Sequence, residues 1–352
     1  MLTISTKVLS LASEAALLVR GGRIVYVNAR AEKLLGGDLV GKPLGDIFSA
    51  DITEAQARVF TADTTVAGKP LNVRTMKQDD LQAFFLSEIG YSLTPVNDAF
   101  LFSMRSALMN LRLSQDLCRS HAEKAGSESL VGELRAMQRS VFSITRLLEN
   151  ASVVRAAAAG ELSADMAALD LSALCRQTAD TISMLYHDVC IQLNVEAGLC
   201  LLGDRMLIEQ LICNLISNSL LHAEGFSQIT LSLTPTPTQL ILSVSDNGCG
   251  IREEAMGSVF ERYRDGYGLG ELGRGAGLGL SVVRGIARAH GGTLMLESRA
   301  GSGTAARVSL ARRIPTSALS ASVPEQPLSM STLLIGLADC LPEDCFDGKY
   351  MD

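Results

Sequence analysis

A strand that ends in glycines, followed by a glycine-rich loop that opens a helix, limits what this chain can fold into. Leu240, Leu242 and Val244 recur at every second position, and they lead into 246–250, Asp-Asn-Gly-Cys-Gly. The later stretch 273–280, Gly-Arg-Gly-Ala-Gly-Leu-Gly-Leu, precedes a pattern of helical period. Glycines let the backbone approach a ligand closely, and the first N–H groups of a helix attract anions. The pattern predicts a cradle for phosphate groups.

A helical segment upstream of the strand carries two asparagines four residues apart. Leu211 and Leu215 lie on one face of this helix, whereas Asn214 and Asn218 share another. Carboxamide oxygens are hard ligands of the kind that Mg²⁺ prefers. Helical asparagines are also found as solvated or capping residues, so this pair does not identify a site by itself.

The order of these motifs resembles that of a known family. The asparagine helix, Asp-x-Gly-x-Gly, Phe-Glu-Arg-Tyr at 260–263 and Gly-x-Gly-x-Gly-Leu resemble the N, G1, F and G2 boxes of the Bergerat-fold (GHKL) ATPases, specifically the catalytic domain of sensor histidine kinases. The resemblance implies ATP and Mg²⁺ as cofactors. It also implies that Asp246 binds the adenine amino group, that Asn218 ligates Mg²⁺ and that Asn214 is a catalytic residue near the reacting phosphate.

The resemblance assigns further nucleotide contacts and an ATP lid between Phe260 and Gly275. His222 shares the face of Asn218 and is placed to contact phosphate. Arg264 fits either a phosphate contact or a solvated surface charge, because the Phe-Tyr-Arg ending typical of the family is one residue shorter here. The complete set of additional candidate residues is His222, Gly248, Gly250, Arg264, Gly275, Gly277, Leu278, Gly279 and Thr304.

Residues 5–92 are predicted to form an α+β domain. Strands at 15–19 and 24–28 enclose a glycine turn, and three further strand candidates follow. The stretch 22–36, Gly-x-Ile-x-Tyr-x-Asn-x-x-Ala-Glu-x-Leu-Leu-Gly, resembles a PAS sensor domain. Two interpretations fit it: a domain that binds a small ligand, and a domain that only dimerises or relays strain.

Residues 97–160 are predicted to form a helical hairpin. In its second helix the apolar residues step alternately by four and three, which is a heptad pattern: Leu130, Leu134, Met137, Val141, Ile144 and Leu148. A two-helix hairpin buries little apolar surface alone, so we expect two copies to form a four-helix bundle in a homodimer.

In histidine kinases this hairpin carries the phosphoacceptor, and here the sequence departs from the family. Ser106 stands where the acceptor histidine is expected, and Ala107 stands in place of the following acid. A serine hydroxyl with no adjacent base is a poor nucleophile. His121, near the end of the first helix, fits either a displaced acceptor or a solvated residue.

Composition excludes several other classes of protein. The net charge of −7 and the pI near 5.3 disfavour nucleic acid as a partner. The chain shows neither a transmembrane stretch nor a signal peptide, which predicts a cytoplasmic location. Eight cysteines without a Cys-x-x-Cys pair indicate reduced core thiols. After an ATPase domain at 167–313, residues 314–352 form a linker and either a short docking helix or a disordered tail.

The predicted fold class is therefore α/β and multidomain: a PAS-like α+β domain, a dimerisation hairpin and an α/β sandwich of the Bergerat ATPase type. The first functional hypothesis is a sensor histidine kinase-like protein in two-component signalling, which binds Mg-ATP, transfers its γ-phosphate and works with a response regulator or partner kinase. The alternatives are a pseudokinase that acts as an ATP-dependent conformational switch or scaffold, and a serine-directed kinase of the same superfamily. A mismatch repair or chaperone ATPase fits less well, since those carry an acid where Asn214 stands.

Overall fold

The computed structural model of the protein describes ten segments of the chain. Along them, an N-terminal α/β region precedes a long helical hairpin and a second α/β region. Within the described segments, no helix combines the length and the hydrophobicity that a membrane span requires. The segments are 15–48, 50–53, 59–66, 69–78, 80–88, 98–187, 189–223, 225–252, 278–312 and 328–347.

The N-terminal region is an antiparallel sheet with short helices between its strands. The sheet order is β2-β1-β5-β4-β3. Asn28 joins the sheet to the first helix, because its Oδ1 accepts from the N–H groups of Ala16 and Ala31, each at 2.9 Å. The elements are β1 Ala15–Arg20, β2 Arg23–Val27, α1 Ala29–Leu35, a 3-10 turn Leu44–Asp46, α2 Ala50–Thr53, β3 Val59–Val66, β4 Lys69–Gln78 and β5 Leu81–Glu88.

The hairpin consists of α3, Asp98–Lys124, and α4, Glu128–Ala159. Gly126 has a φ of +66° in the turn between them, a conformation that favours glycine. The heptad residues of α4 differ in burial. Leu134 and Val141 are buried, Leu148 is half-buried and the other three are exposed. The exposed group is Leu130, Met137 and Ile144, at 47%, 40% and 40%.

The second α/β region has a mixed sheet in the order β11-β12-β10-β9-β7, in which β7 and β9 are parallel and the other pairs are antiparallel. Strands β6 and β8 form a separate pair. The elements are β6 Ala167–Asp170, α5 Leu171–Leu185, β7 Cys190–Val195, β8 Cys200–Gly203, α6 Arg205–His222, β9 Gln228–Pro235, β10 Gln239–Asp246, α7 Gly279–Ala289, β11 Leu294–Arg299 and β12 Gly303–Ala311.

The two sheets are joined edge to edge, which the sequence does not predict. Strand β3 pairs antiparallel with β11, and Ala62, Thr61 and Phe60 lie opposite residues 295, 296 and 297. The result is one ten-stranded sheet that runs from the N-terminal region into the second α/β region. Edge strands pair through backbone groups that every residue type carries, so side-chain patterns give no sign of this partner.

The C-terminal segment, residues 328–347, is docked rather than detached. Helix α8, Met330–Gly336, and a 3-10 turn, Glu343–Phe346, share one hydrophobic core with the hairpin and with α6. The Phe346 ring is fully buried and meets Phe142 of α4 edge to face, with 6.0 Å between ring centroids. The other apolar side chains of the segment that are buried are Leu333, Leu334, Leu337, Ala338, Leu341 and Cys345.

All eight cysteines are free, but they are not all core residues. Cys118, Cys190 and Cys249 are exposed, so the expectation of core thiols is wrong for Cys118 and Cys190, whereas exposure of Cys249 is expected from its place in the Asp-x-Gly-x-Gly turn. Burial raises the pKa of the Cys175 and Cys213 thiols to about 12, which keeps both protonated and unreactive at neutral pH.

We expect Phe346→Ala to lower the free energy of unfolding by about 3–5 kcal/mol, because it leaves a cavity beside Phe142 in the shared core. Urea denaturation followed by circular dichroism measures this. The control is Met206→Ala, since Met206 is 77% exposed and its truncation should change stability by less than about 0.5 kcal/mol. Equal effects of the two substitutions would contradict the docked position of the segment.

Candidate functional site

Helix α6 carries the two asparagines and is enclosed on nearly all sides. Asp204 caps its N-terminus, where Oδ1 accepts from the Leu207 N–H at 3.1 Å. His290, the C-cap residue of α7, accepts from the Asp204 N–H at 3.0 Å through Nε2 and so joins the two helices. Every residue in 211–217 is buried. The polar residues of this stretch therefore need hydrogen-bond partners within the protein.

The two asparagines meet the first residue of α7. A Cβ placed on Gly279 would lie 3.2 Å from Asn218 Oδ1 and 3.3 Å from Asn214 Oδ1. Leu278 is the N-cap residue of α7, and its carbonyl accepts from the Val282 N–H at 2.9 Å. Two carboxamide oxygens and the N-terminus of a helix therefore converge, although the residues come from stretches 60 positions apart.

Asp246, at the end of β10, is held by three donors. Its Oδ1 accepts from the N–H groups of Gly248 at 3.1 Å and Thr304 at 3.2 Å, and its Oδ2 accepts from the Ser219 hydroxyl at 3.2 Å. Sequence reasoning missed Ser219, although it directly follows Asn218. Because Ser219 also lies on α6, one helix connects the asparagine pair with the aspartate.

The glycines of the Asp-x-Gly-x-Gly turn are required by packing within the chain. A Cβ on Gly248 would lie 2.6 Å from the Ala223 Cβ. Gly250 has a φ of +65°, and a Cβ there would lie 2.1 Å from the carbonyl oxygen of Arg299. The space beside Gly250 is thus taken by the loop after β11. The predicted contact between the Gly250 backbone and a ligand stays a prediction.

Asn214 is engaged by residues of the hairpin. Its Oδ1 accepts from Asn150 Nδ2 at 3.1 Å and from Arg146 Nη2 at 3.4 Å. Its Nδ2 donates to Asn150 Oδ1 at 3.2 Å and to the Gln210 carbonyl at 2.8 Å. Both polar ends of the carboxamide therefore have partners. The sequence did not predict the contacts of Asn150 and Arg146, because both residues lie more than 60 positions upstream of Asn214.

His222 lies exposed at the C-terminal end of α6. Desolvation lowers the pKa of its imidazole, so the ring is neutral at neutral pH and would meet a phosphate as a hydrogen-bonding group. Arg264, Gly275, Gly277 and the predicted lid lie outside the described residues.

Ser106 is exposed on α3, while Met104 and Leu108 are half-buried. Its hydroxyl donates to the Phe102 carbonyl one turn earlier at 3.0 Å. The neighbouring Arg105 donates to the Ser152 hydroxyl of α4 at 2.9 Å. In the single chain the hydroxyl is therefore accessible, and its described hydrogen bond is to its own helix rather than to a base.

A metal ion at this site would take amide and phosphate oxygens as its ligands. Among the described residues, no group of three or more His, Cys, Asp or Glu side chains is arranged to hold a metal ion. The donors that converge here are the carboxamides of Asn214 and Asn218. Such a donor set suits Mg²⁺ that arrives with a phosphate and keeps most of its water ligands.

Comparison with known proteins identifies the class of this domain. Residues 203–314 match the family described as histidine kinase-, DNA gyrase B- and HSP90-like ATPases. The matched stretch contains α6, β10, α7 and β12, and with them Asn214, Asn218, Asp246 and Thr304. The chain therefore carries a histidine kinase-like ATPase domain.

Its relatives are sensor histidine kinases, as the motif order predicts. The histidine protein kinase DivJ of Caulobacter vibrioides is 37% identical over 108 residues, which are 31% of this chain and 18% of DivJ. The sensor protein ChvG of Rhizobium meliloti is 31% identical over 205 residues, 57% of this chain and 35% of ChvG. The sensor-like histidine kinase SenX3 of Mycolicibacterium smegmatis is 26% identical over 235 residues, 64% and 56% of the two chains. The chain spans less than two thirds of each relative.

The solved structures that the chain is similar to include full-length ShkA and the histidine kinase AdeS. Full-length ShkA, in a crystal structure with AMPPNP, is 20% identical with a TM-score of 0.48, and the match covers 62% of this chain and 46% of ShkA. The Acinetobacter baumannii histidine kinase AdeS is 19% identical with a TM-score of 0.40, and the match covers 60% and 98% of the two chains.

Proposed function

We propose that this protein is a sensor histidine kinase-like signalling protein that binds Mg-ATP in its ATPase domain. The observation that carries the proposal is the convergence of Asn214 and Asn218 on Gly279, with Asp246 fixed beside them by Ser219. These residues lie within the stretch that matches the ATPase family, so general homology and local geometry support the same site.

Each group in the proposed site has a physical task. The Asp246 carboxylate, oriented by two backbone N–H groups, would accept a hydrogen bond from the adenine amino group. Asn218 would ligate Mg²⁺ through its oxygen, and Asn214 would orient the reacting phosphate. The N-terminus of α7 at Gly279 would bind phosphate oxygens. The remaining contacts are assigned to His222, Gly248, Gly250, Arg264, Gly275, Gly277, Leu278 and Thr304.

Asp246→Asn should weaken ATP binding by about tenfold or more, because a charged acceptor is lost and an amide N–H₂ would face backbone donors. Isothermal titration calorimetry with Mg-ATP measures the change. Asp180→Asn is the matched control, since Asp180 is exposed on α5 of the same region. Equal ATP affinity in wild type and Asp246→Asn would refute the adenine-binding role, provided that both proteins unfold at similar temperatures.

A second candidate function is an ATP-dependent conformational switch without phosphoryl transfer. The environment of Ser106 favours it, because the described contact of the hydroxyl is the Phe102 carbonyl and the next residue is Ala107. In this version the nucleotide changes the position of the ATPase region relative to the hairpin, and a response regulator or partner kinase responds to the change. Mg-ATP binding is common to both candidates.

Incubation with γ-labelled ATP separates the two candidates. We expect ATP binding without acid-stable label, since the described part of the chain places no base beside Ser106. Acid-labile label that disappears in His121→Gln would identify a displaced histidine acceptor and contradict the switch. Acid-stable label that disappears in Ser106→Ala would show transfer to serine. Both variants alter exposed side chains, so neither should change the fold.

The hairpin is proposed to dimerise through its exposed apolar stripes. On α3 the side chains of Phe102, Met109, Leu113 and Leu117 are 73%, 59%, 57% and 66% exposed at spacings that share one face. On α4 the exposed stripe consists of Leu130, Met137 and Ile144. Two hairpins would bury these stripes in a four-helix bundle. Residues 97–160 are thus assigned to dimerisation, 5–92 to a PAS-like input domain and 167–313 to ATP binding.

Leu113→Glu combined with Leu117→Glu should convert the dimer to a monomer, since it places charges within the proposed bundle core. Size-exclusion chromatography with light scattering gives the mass. Ser114→Glu is the control, because Ser114 is exposed on the same helix but lies beside the stripe. A wild-type protein that is monomeric at high concentration, or a double variant that stays dimeric, would contradict dimerisation through this face.

A further inference from the structure

The C-terminal segment 328–347 is bound to α4 by three arginines. Arg135, Arg139 and Arg146 are spaced by four and seven residues, so they lie along one face of that helix. The segment follows the part of the chain that matches the ATPase family. The contacts are Arg135 Nη2 to Asp347 Oδ2 at 2.6 Å, Arg139 Nε to the Ala338 carbonyl at 3.1 Å, and Arg146 Nη1 to Asp339 Oδ2 at 2.8 Å.

The same segment also contacts α6, at the turn that carries Asn214. A Cβ on Gly336 would lie 2.7 Å from the Cys213 Cβ, so glycine allows α8 to approach α6 closely. Cys340 Sγ lies 3.2 Å from the Ser217 hydroxyl. Residues 213 and 217 flank Asn214 within one turn. The segment therefore packs against both helices at the level of the proposed phosphate-binding residues.

Arg146 connects the three elements. Its guanidinium belongs to a side chain that is 9% exposed, and it donates to Asp339 of the segment, to the Ser217 hydroxyl at 2.8 Å and to Asn214 Oδ1 at 3.4 Å. Asn150, one turn later on α4, hydrogen-bonds Asn214 through both of its own polar atoms. With Asp339 in place, Arg146 and Asn150 occupy both polar ends of the Asn214 carboxamide.

We propose that residues 328–347 are an intramolecular latch that holds α4 on the asparagine face of α6 and keeps the nucleotide site in a state of low affinity. The inference rests on the proposed function, in which Asn214 contacts the reacting phosphate. For that contact Asn214 must exchange its hydrogen bonds to Asn150 and Arg146 for bonds to the nucleotide or its Mg²⁺. The exchange requires α4 and α6 to separate locally.

The latch determines the free energy that is needed to separate α4 from α6. The two helices are held together by the Asp339 and Asp347 ion pairs and by apolar side chains such as Leu333, Leu337 and Phe346, all of which are fully buried. Nucleotide that binds the separated state must supply the free energy of opening, so its apparent affinity equals the intrinsic affinity multiplied by the fraction of molecules that are open. Any event that withdraws the segment would raise the affinity.

The test compares single carboxylate-to-amide variants of the full chain. Asp339→Asn removes the charge that pairs with Arg146, and Asp347→Asn removes the pair with Arg135, which has no described contact with α6. Glu343→Gln is the matched control in the same segment, because Glu343 is exposed and has no described ion pair, whereas Asp344 also approaches Arg135 at 3.9 Å. The readout is the Kd for Mg-ATP by fluorescence of a labelled analogue, combined with hydrogen exchange of 328–347.

We expect Asp339→Asn to bind Mg-ATP about tenfold more tightly than wild type, Asp347→Asn to change the Kd in the same direction, and Glu343→Gln to leave it unchanged. Added Mg-ATP should also accelerate hydrogen exchange in residues 328–347 of the wild type. Two observations would overturn the latch while the proposed function stands: equal Kd values for all four proteins, or weaker binding by Asp339→Asn. Absence of binding in all four would refute the proposed function and the latch with it.

Discussion

The enclosure of helix α6 is the constraint on which the rest of the structure depends. It lies among the hairpin helix α4, helix α7, the sheet and the C-terminal segment, and its middle turns have no access to water. Asn214, Ser217 and Ser219 must therefore find partners inside the protein. They do so in three directions, towards α4, towards the C-terminal segment and towards Asp246. Polar groups of this one helix therefore help to hold α4, the C-terminal segment and Asp246 in position, alongside the apolar core that they share.

The sequence predicted the site residues that belong to a local pattern, but not their hydrogen-bond partners that are distant along the chain. The asparagine pair, the aspartate at the end of β10 and the start of α7 follow from strand and helix periods and from glycine positions. Arg146 meets Asp339 across 193 residues, and Asn150 meets Asn214 across 64. Nothing in a local pattern distinguishes such residues from solvated polar side chains. The pairing of β3 with β11 is hidden for the same reason.

The sequence predicted where the Asp-x-Gly-x-Gly turn lies, but gave only part of the reason for its glycines. Its glycines were interpreted as giving a ligand access to the backbone. At Gly250 the missing side chain also makes room for the carbonyl group of Arg299, and at Gly303, which lies outside the motif, for that of Asp246. These contacts bring the loop after β11 against the turn after β10, and Thr304 then donates to the Asp246 carboxylate. The glycines therefore shape the proposed base-binding end through chain packing.

The junction of β3 with β11 has a mechanical consequence. A hydrogen-bonded ladder resists shear along its strands, so the N-terminal strands and the ATPase strands twist as one body. β11 is followed by β12, whose Thr304 holds Asp246. The backbone hydrogen bonds of this sheet therefore connect β1 and β5 with the strand that ends in Asp246, along a path that does not pass through the helical hairpin. The N-terminal region and the ATPase region are thus joined twice, once through the chain of the hairpin and once through the sheet.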